Sequence, residues 1–62
     1  MKIRVFELRD GRYREAGLMM EDGRYSGQPW LEQTLARLVE RHGMEEAARR
    51  IGSGLVEARL EP

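Results

Sequence analysis

The chain has 62 residues and a mass of 7.2 kDa. That is room for a single small domain over residues 1–62 and excludes a multidomain enzyme, because independent domains rarely fall below about 50 residues. Its 40% hydrophobic and 35% charged residues describe a folded protein with a small core rather than a disordered tail. The 11 basic and 11 acidic residues cancel, which removes the general attraction to phosphate or anionic lipid that a strongly basic small protein has.

Cysteine is absent and His42 is the single histidine, so one chain can assemble neither a disulfide nor a Cys/His zinc site, and no metal or cofactor is expected. Apolar runs reach at most 3 residues, far short of the roughly 20 that cross a bilayer. The opening Met1-Lys2-Ile3-Arg4 alternates instead of forming an apolar signal region, and a cytoplasmic protein is expected. A domain of this size buries only roughly 60% of its unfolded surface, which makes completion of the core by self-association a natural expectation.

Residues from Lys2 to Met20 read as two strands around Asp10-Gly11, a dipeptide suited to the two positive φ angles of a type I′ turn. With these two as the loop, Leu8 opposes Tyr13, Glu7 opposes Arg14, Phe6 opposes Glu15, Val5 opposes Ala16 and Ile3 opposes Leu18. One face then collects Ile3, Val5, Ala16, Leu18 and Met20 as the candidate core, with Glu7 and Arg14 paired across the strands at its edge. Asp22-Gly23 invites a second reversal that sets Met20 against Tyr25 and Met19 against Ser26, extending the hairpin to a three-stranded meander.

Pro29 suits the first position of a helix, and Leu31, Leu35, Leu38, Val39 and His42 follow at helical spacing, with Gly43 as a left-handed cap. Met44, Ala47, Ala48 and Ile51 make the stripe of a second, two-turn helix whose Glu45–Arg49 and Glu46–Arg50 pairs lie at i,i+4. In the segment 55–60, Val56, Ala58 and Leu60 alternate with Leu55, Glu57 and Arg59, which predicts a final strand returning to the sheet edge; a short helix is the rival. The expected fold is α+β: a small antiparallel sheet, hairpin or meander plus C-terminal strand, packed against one main helix and a short second one.

Catalytic constellations are weak. Ser26 and Ser53 lie in no Gly-x-Ser-x-Gly elbow, His42 at a helix C-terminus suits the helix dipole, and Glu45 and Glu46 each have an arginine and point about 100° apart. The chain is therefore expected not to be an enzyme. More informative is the second face of the hairpin, where the register places Lys2, Arg4, Phe6, Leu8, Tyr13, Glu15, Gly17 and Met19. One helical layer covers only one face of a sheet, so this outer face must be covered by something else or left open.

The favoured expectation is a protein interface through Phe6, Leu8, Tyr13 and Met19, making the chain a self-associating regulatory module, accessory, antitoxin-like or inhibitor-like, that acts as a homodimer or on a protein partner. Trp30, in the first turn of the main helix, is expected to lid the core between Tyr25 and Leu38; if exposed, it joins the interface residues. The alternative is a nucleic-acid platform on which Phe6 and Tyr13 stack bases while Lys2, Arg4, Arg9, Arg12 and Arg24 contact phosphate. A helix-turn-helix over residues 30–60, with Arg49 and Arg50 touching DNA, is a variant of that alternative, set against helix-unfriendly Gly54 in its recognition segment.

Overall fold

The computed structural model describes residues 1–52 and 55–62; Ser53 and Gly54, which the sequence reading drew on, lie outside the described residues. The elements in chain order are β1 (Lys2–Arg9), β2 (Arg12–Met20), β3 (Tyr25–Gly27), α1 (Pro29–His42), α2 (Met44–Ile51) and β4 (Val56–Glu61). The four strands form one antiparallel sheet in the order β3-β2-β1-β4, with the two helices packed on one of its faces. The α+β architecture expected from the sequence is the one observed.

The β1–β2 hairpin closes at Asp10 and Gly11, whose φ angles of 50° and 76° are those a type I′ turn demands. Leu8 opposes Tyr13, Glu7 opposes Arg14 and Phe6 opposes Glu15, as the turn predicts. Glu7, however, forms its ion pair with Arg9, 3.8 Å away on its own strand, rather than with Arg14.

Beyond Phe6 the register departs from expectation. A bulge at Ala16 lets β2 gain one residue on β1, so Val5 opposes Gly17, Arg4 opposes Leu18, Ile3 opposes Met19 and Lys2 opposes Met20. An extra residue in a strand of period two exchanges the faces of everything after it. Met19 therefore enters the core, where it is 2% exposed, while Leu18 and Met20, expected inside, turn to the outer face.

A second one-residue shift follows. The β2–β3 connection is a three-residue loop, Glu21-Asp22-Gly23, rather than Asp-Gly alone: the Gly23 N–H donates to the Met20 carbonyl at 2.9 Å and the Met20 N–H to the Arg24 carbonyl at 2.8 Å. This is the geometry of a type I turn followed by a glycine at positive φ, 95° at Gly23. Tyr25 consequently faces Met19 and Ser26 faces Leu18. Tyr25 packs against the core, and its hydroxyl donates to the Gln28 carbonyl at 2.6 Å; partial burial, reinforced by nearby Glu32, raises its pKa above the ordinary phenol value.

The core joins Ile3, Val5, Ala16 and Met19 of the sheet to Leu31 and Leu35 of α1 and Ala47 and Ala48 of α2, with Val56, Ala58 and Leu60 of β4 packed against it. Helix α1 starts at Pro29 and stops at Gly43, whose N–H donates to the Val39 carbonyl at 2.8 Å. Gly43 is not the left-handed cap expected. At φ 87° and ψ 168° it occupies an extended region that is essentially glycine's alone, and its carbonyl accepts the Ala47 N–H at 3.0 Å. One residue thus ends α1 and begins α2.

The expected pairs on α2 are present, with Arg49 on Glu45 at 3.3 Å and Arg50 on Glu46 at 2.9 Å, and Arg49 also reaches Glu46. Hydrogen bonding from Arg49, then its charge and that of Arg50, hold the Glu46 carboxyl below its ordinary value. A lowered carboxylate pKa contributes stability above the unfolded value that is lost as the pH falls through the folded one. Acidification below the ordinary glutamate range is therefore expected to fray α2 before the hairpin, which amide chemical shifts of residues 44–51 against those of β1 will report.

Candidate interaction face

Strand alternation and register define what lies on the sheet face away from the helices. From β1 come Lys2, Arg4, Phe6 and Leu8; opposite them on β2 stand Met20, Leu18, Glu15 and Tyr13; β3 adds Ser26 and β4 adds Glu57, Arg59 and Glu61. The apolar groups form two patches. Phe6, Leu8 and Tyr13 occupy the turn end, and Leu18 and Met20 line a shallow hollow of about 200 Å³ beside β3 together with Arg24, Tyr25 and Ser26.

Between the patches runs a row of charge that neutralises itself. The Arg4 Nε donates to Glu61 at 3.1 Å, and its Nη1 donates to Glu15. These hydrogen bonds, Glu61 first, raise the pKa of the guanidinium further above its ordinary value. The Arg59 guanidinium carbon lies 4.9 Å from the centre of the Phe6 ring, a cation–π contact worth about 0.5–1 kcal/mol at an exposed site. On the strands Lys2, Arg4 and Arg59 are set against Glu15, Glu57 and Glu61, and Arg24, at the hollow, is paired with Asp22, four against four, so the face has no net charge. Phe6, Leu8, Leu18 and Met20 are each partly covered by their neighbours on the sheet, and no described element lies over them.

Of the residues expected at a protein interface, Phe6, Leu8 and Tyr13 are brought together here, with Tyr13 54% exposed. Met19 is not, because the bulge sends it inward. Trp30 rides on α1, in the layer on the other side of the sheet, and at 54% exposure it does not lid the core as expected: Leu31, the next residue, holds the core position. Leu18 and Met20 were missed on this face. The signal for them is Gly17, since a glycine inside a strand marks a bulge or a close backbone approach.

The five basic residues of the nucleic-acid alternative are dispersed. Lys2 and Arg4 are on the outer face, Arg9 and Arg12 project to the opposite side at the turn, and Arg24 sits at the end of the second loop. Three of them are occupied by carboxylates: Arg4 as above, Arg9 by Glu7, and Arg24 by Asp22 at 2.8 Å. The Arg24 backbone N–H, the largest influence, keeps the Asp22 carboxyl below the usual range. The helix-turn-helix variant loses its recognition helix, since Val56–Glu61 is a strand paired along β1.

His42 ends α1, whereas Ser26 precedes its start. At 1.5 Å per residue a helix of 14 residues separates them by about 20 Å, too far for proton transfer. His42 lines an open hollow with Arg37, Glu40, Arg41 and Arg50, and Arg41 in the last turn complements the negative end of α1. Among the described residues no group of three potential metal ligands occurs, and no helix is long and apolar enough to cross a membrane. Comparison of the chain with protein-family models, with curated proteins and with solved structures returns no significant match.

Proposed function

We propose that this chain is a non-enzymatic interaction module, a cytoplasmic accessory or regulatory subunit that works by seating the outer face of its sheet on another protein surface, foremost that of a second copy. The observation that carries this reading is the composition of that face: Phe6, Leu8, Tyr13, Leu18 and Met20 lie around charges already matched within the chain, with both helices on the other side. A surface that is apolar at its patches and neutral overall suits a protein partner better than a polyanion. Dispersal and pairing of Arg4, Arg9 and Arg24 weigh against the nucleic-acid alternative.

The test is solution mass by light scattering over a concentration series, for the natural chain and for Tyr13→Glu with Leu18→Glu. Both substitutions lie on β2, outside the helical interface, so circular dichroism should stay close to that of the natural chain. Self-association through the face is expected to weaken by at least about tenfold, since each change sets a desolvated carboxylate in an apolar contact. An association indifferent to both changes removes the outer face as its site. Salt-sensitive retention on DNA or RNA would reinstate the alternative.

A further inference from the structure

The sheet has two edges, and they differ. β3 is 3 residues long, and the chain leaves it at once, with the Gln28 N–H donating back to the Ala16 carbonyl at 2.8 Å. β4 runs 6 residues along β1 in unbroken register, with neither the bulge nor the internal proline that natural edges use to prevent pairing. We propose that β4 pairs with β4 of a second copy of this chain, antiparallel about a two-fold axis at Ala58, merging two sheets into one.

Backbone parity comes first. In an antiparallel ladder opposed residues bond each other only at alternate pairs, and Leu8, which lies opposite Leu55, donates its N–H to the Leu55 carbonyl at 2.9 Å. Residues 57, 59 and 61 therefore turn their backbone groups toward β1, while Val56, Ala58 and Leu60 turn theirs to the open edge. No described backbone group outside the sheet ladder bonds those three.

Side chains then choose the register; one centred on Leu60 would oppose Arg59 and Glu61, but Glu61 is already held by Arg4 at 3.1 Å. Centred on Glu57, a two-fold pairing sets Glu57 against its own copy; centred on Arg59, it sets Arg59 against Arg59 and Glu57 against Glu61. Like charges directly opposed are destabilising. Centred on Ala58, it sets Glu57 against Arg59 twice and Val56 against Leu60 twice. The pairs that exchange N–H···O bonds are then Ala58 with Ala58 and Val56 with Leu60, the residues whose groups point outward. Glu57 has no ion pair among the described residues, and the contact found for the Arg59 guanidinium is the Phe6 ring, so both charges are available.

This inference goes beyond the outer-face reading and does not rest on it: pairing at the edge leaves Tyr13 and Leu18 untouched. It would set two outer faces side by side on one continuous sheet, doubling the apolar surface offered to a partner.

The experiment measures the dissociation constant of the full chain by sedimentation equilibrium for the natural sequence, Glu57→Arg, Arg59→Glu and the double exchange. Each single change opposes like charges at two symmetric positions and is expected to weaken the dimer by about tenfold. The double exchange restores complementarity and should return the constant to within about threefold of the natural one, although it too loses the Arg59 contact with Phe6. Ala58→Pro removes an outward N–H that the β1 ladder does not use and is expected to abolish the dimer with the fold intact; should it unfold, the charge series decides. A chain that stays monomeric to millimolar concentration overturns the pairing, as does a dimer whose double exchange is no tighter than the single ones. A dimer lost in Tyr13→Glu with Leu18→Glu but kept in the β4 variants overturns the edge and supports the face; the converse pattern does the opposite.

Discussion

Gly27→Ala is expected to leave the chain largely unfolded at room temperature, or to lower its Tm by about 15–30 °C where folding survives. Two costs coincide at this position. Its φ of 135° lies in a region that side chains rarely enter, a strain of about 1–3 kcal/mol. A Cβ there would overlap the Ala16 carbonyl oxygen and lie 2.5 Å from the Gly17 Cα, and crowding of that kind costs roughly another 1–3 kcal/mol. Both obstacles are backbone, held by the Gln28 N–H on Ala16 and by the Gly17–Gly27 pairing, so neither yields without dismantling the bulge. A domain of this length has roughly 3–9 kcal/mol in all. Gly17→Ala is the informative contrast. Its Cβ would meet the Tyr25 hydroxyl at 2.5 Å and the Leu31 Cδ2 at 2.9 Å, ends of side chains that can move. The expected cost is about 1–3 kcal/mol, including the bond from Tyr25 to Gln28. Thermal melting and urea titration of both variants check the order, and a Gly27→Ala chain melting within a few degrees of the natural one would show that the strands do not approach so closely.

That pair of glycines also explains where sequence reasoning stops. The first hairpin is legible because Asp10-Gly11 determines both the turn and the pairing next to it. From Ala16 onward, Ala-Gly-Leu-Met-Met is apolar or small at every position, so an alternation argument fits either face equally well. The choice is made by tertiary contacts: Gly17 offers no side chain, and Tyr25 and Leu31 come down onto it. The same holds for the second loop. Asp22 accepts the Arg24 backbone N–H at 3.1 Å, a local bond that favours the three-residue loop over a two-residue one, and with it the placement of Tyr25 over the core.

The outer face was partly legible for a related reason. Phe6, Leu8 and Tyr13 follow from the part of the register that the turn fixes. Pairing of Arg4 with Glu61, 57 residues away, depends on how β4 lies along β1, and alternation within 55–60 predicts a strand but not its partner or its register. Hence a basic hairpin could be read from residues 1–20, which carry five basic and three acidic groups, although the assembled sheet cancels much of that charge with residues from the far end of the chain.

Leu31 and Trp30 are neighbours on the first turn of α1, and their truncations are expected to differ by several kcal/mol. Leu31 is fully buried and shares the space over Gly17 with the Tyr25 ring, so Leu31→Ala should cost about 2–5 kcal/mol. Trp30→Ala should change stability by less than about 1 kcal/mol despite the loss of a larger side chain, because the indole is more exposed than buried and Pro29 still fixes the helix start. Urea unfolding of the two variants measures the difference. Equal losses would mean that the indole covers the core after all, which would return Trp30 to a packing role. A small loss makes Trp30 a surface residue on the helical side, and as the sole tryptophan its fluorescence then discriminates the routes of assembly. Association through the outer face or through β4 leaves the emission of a solvated indole in place, whereas docking through the helical layer shifts it to the blue as concentration rises.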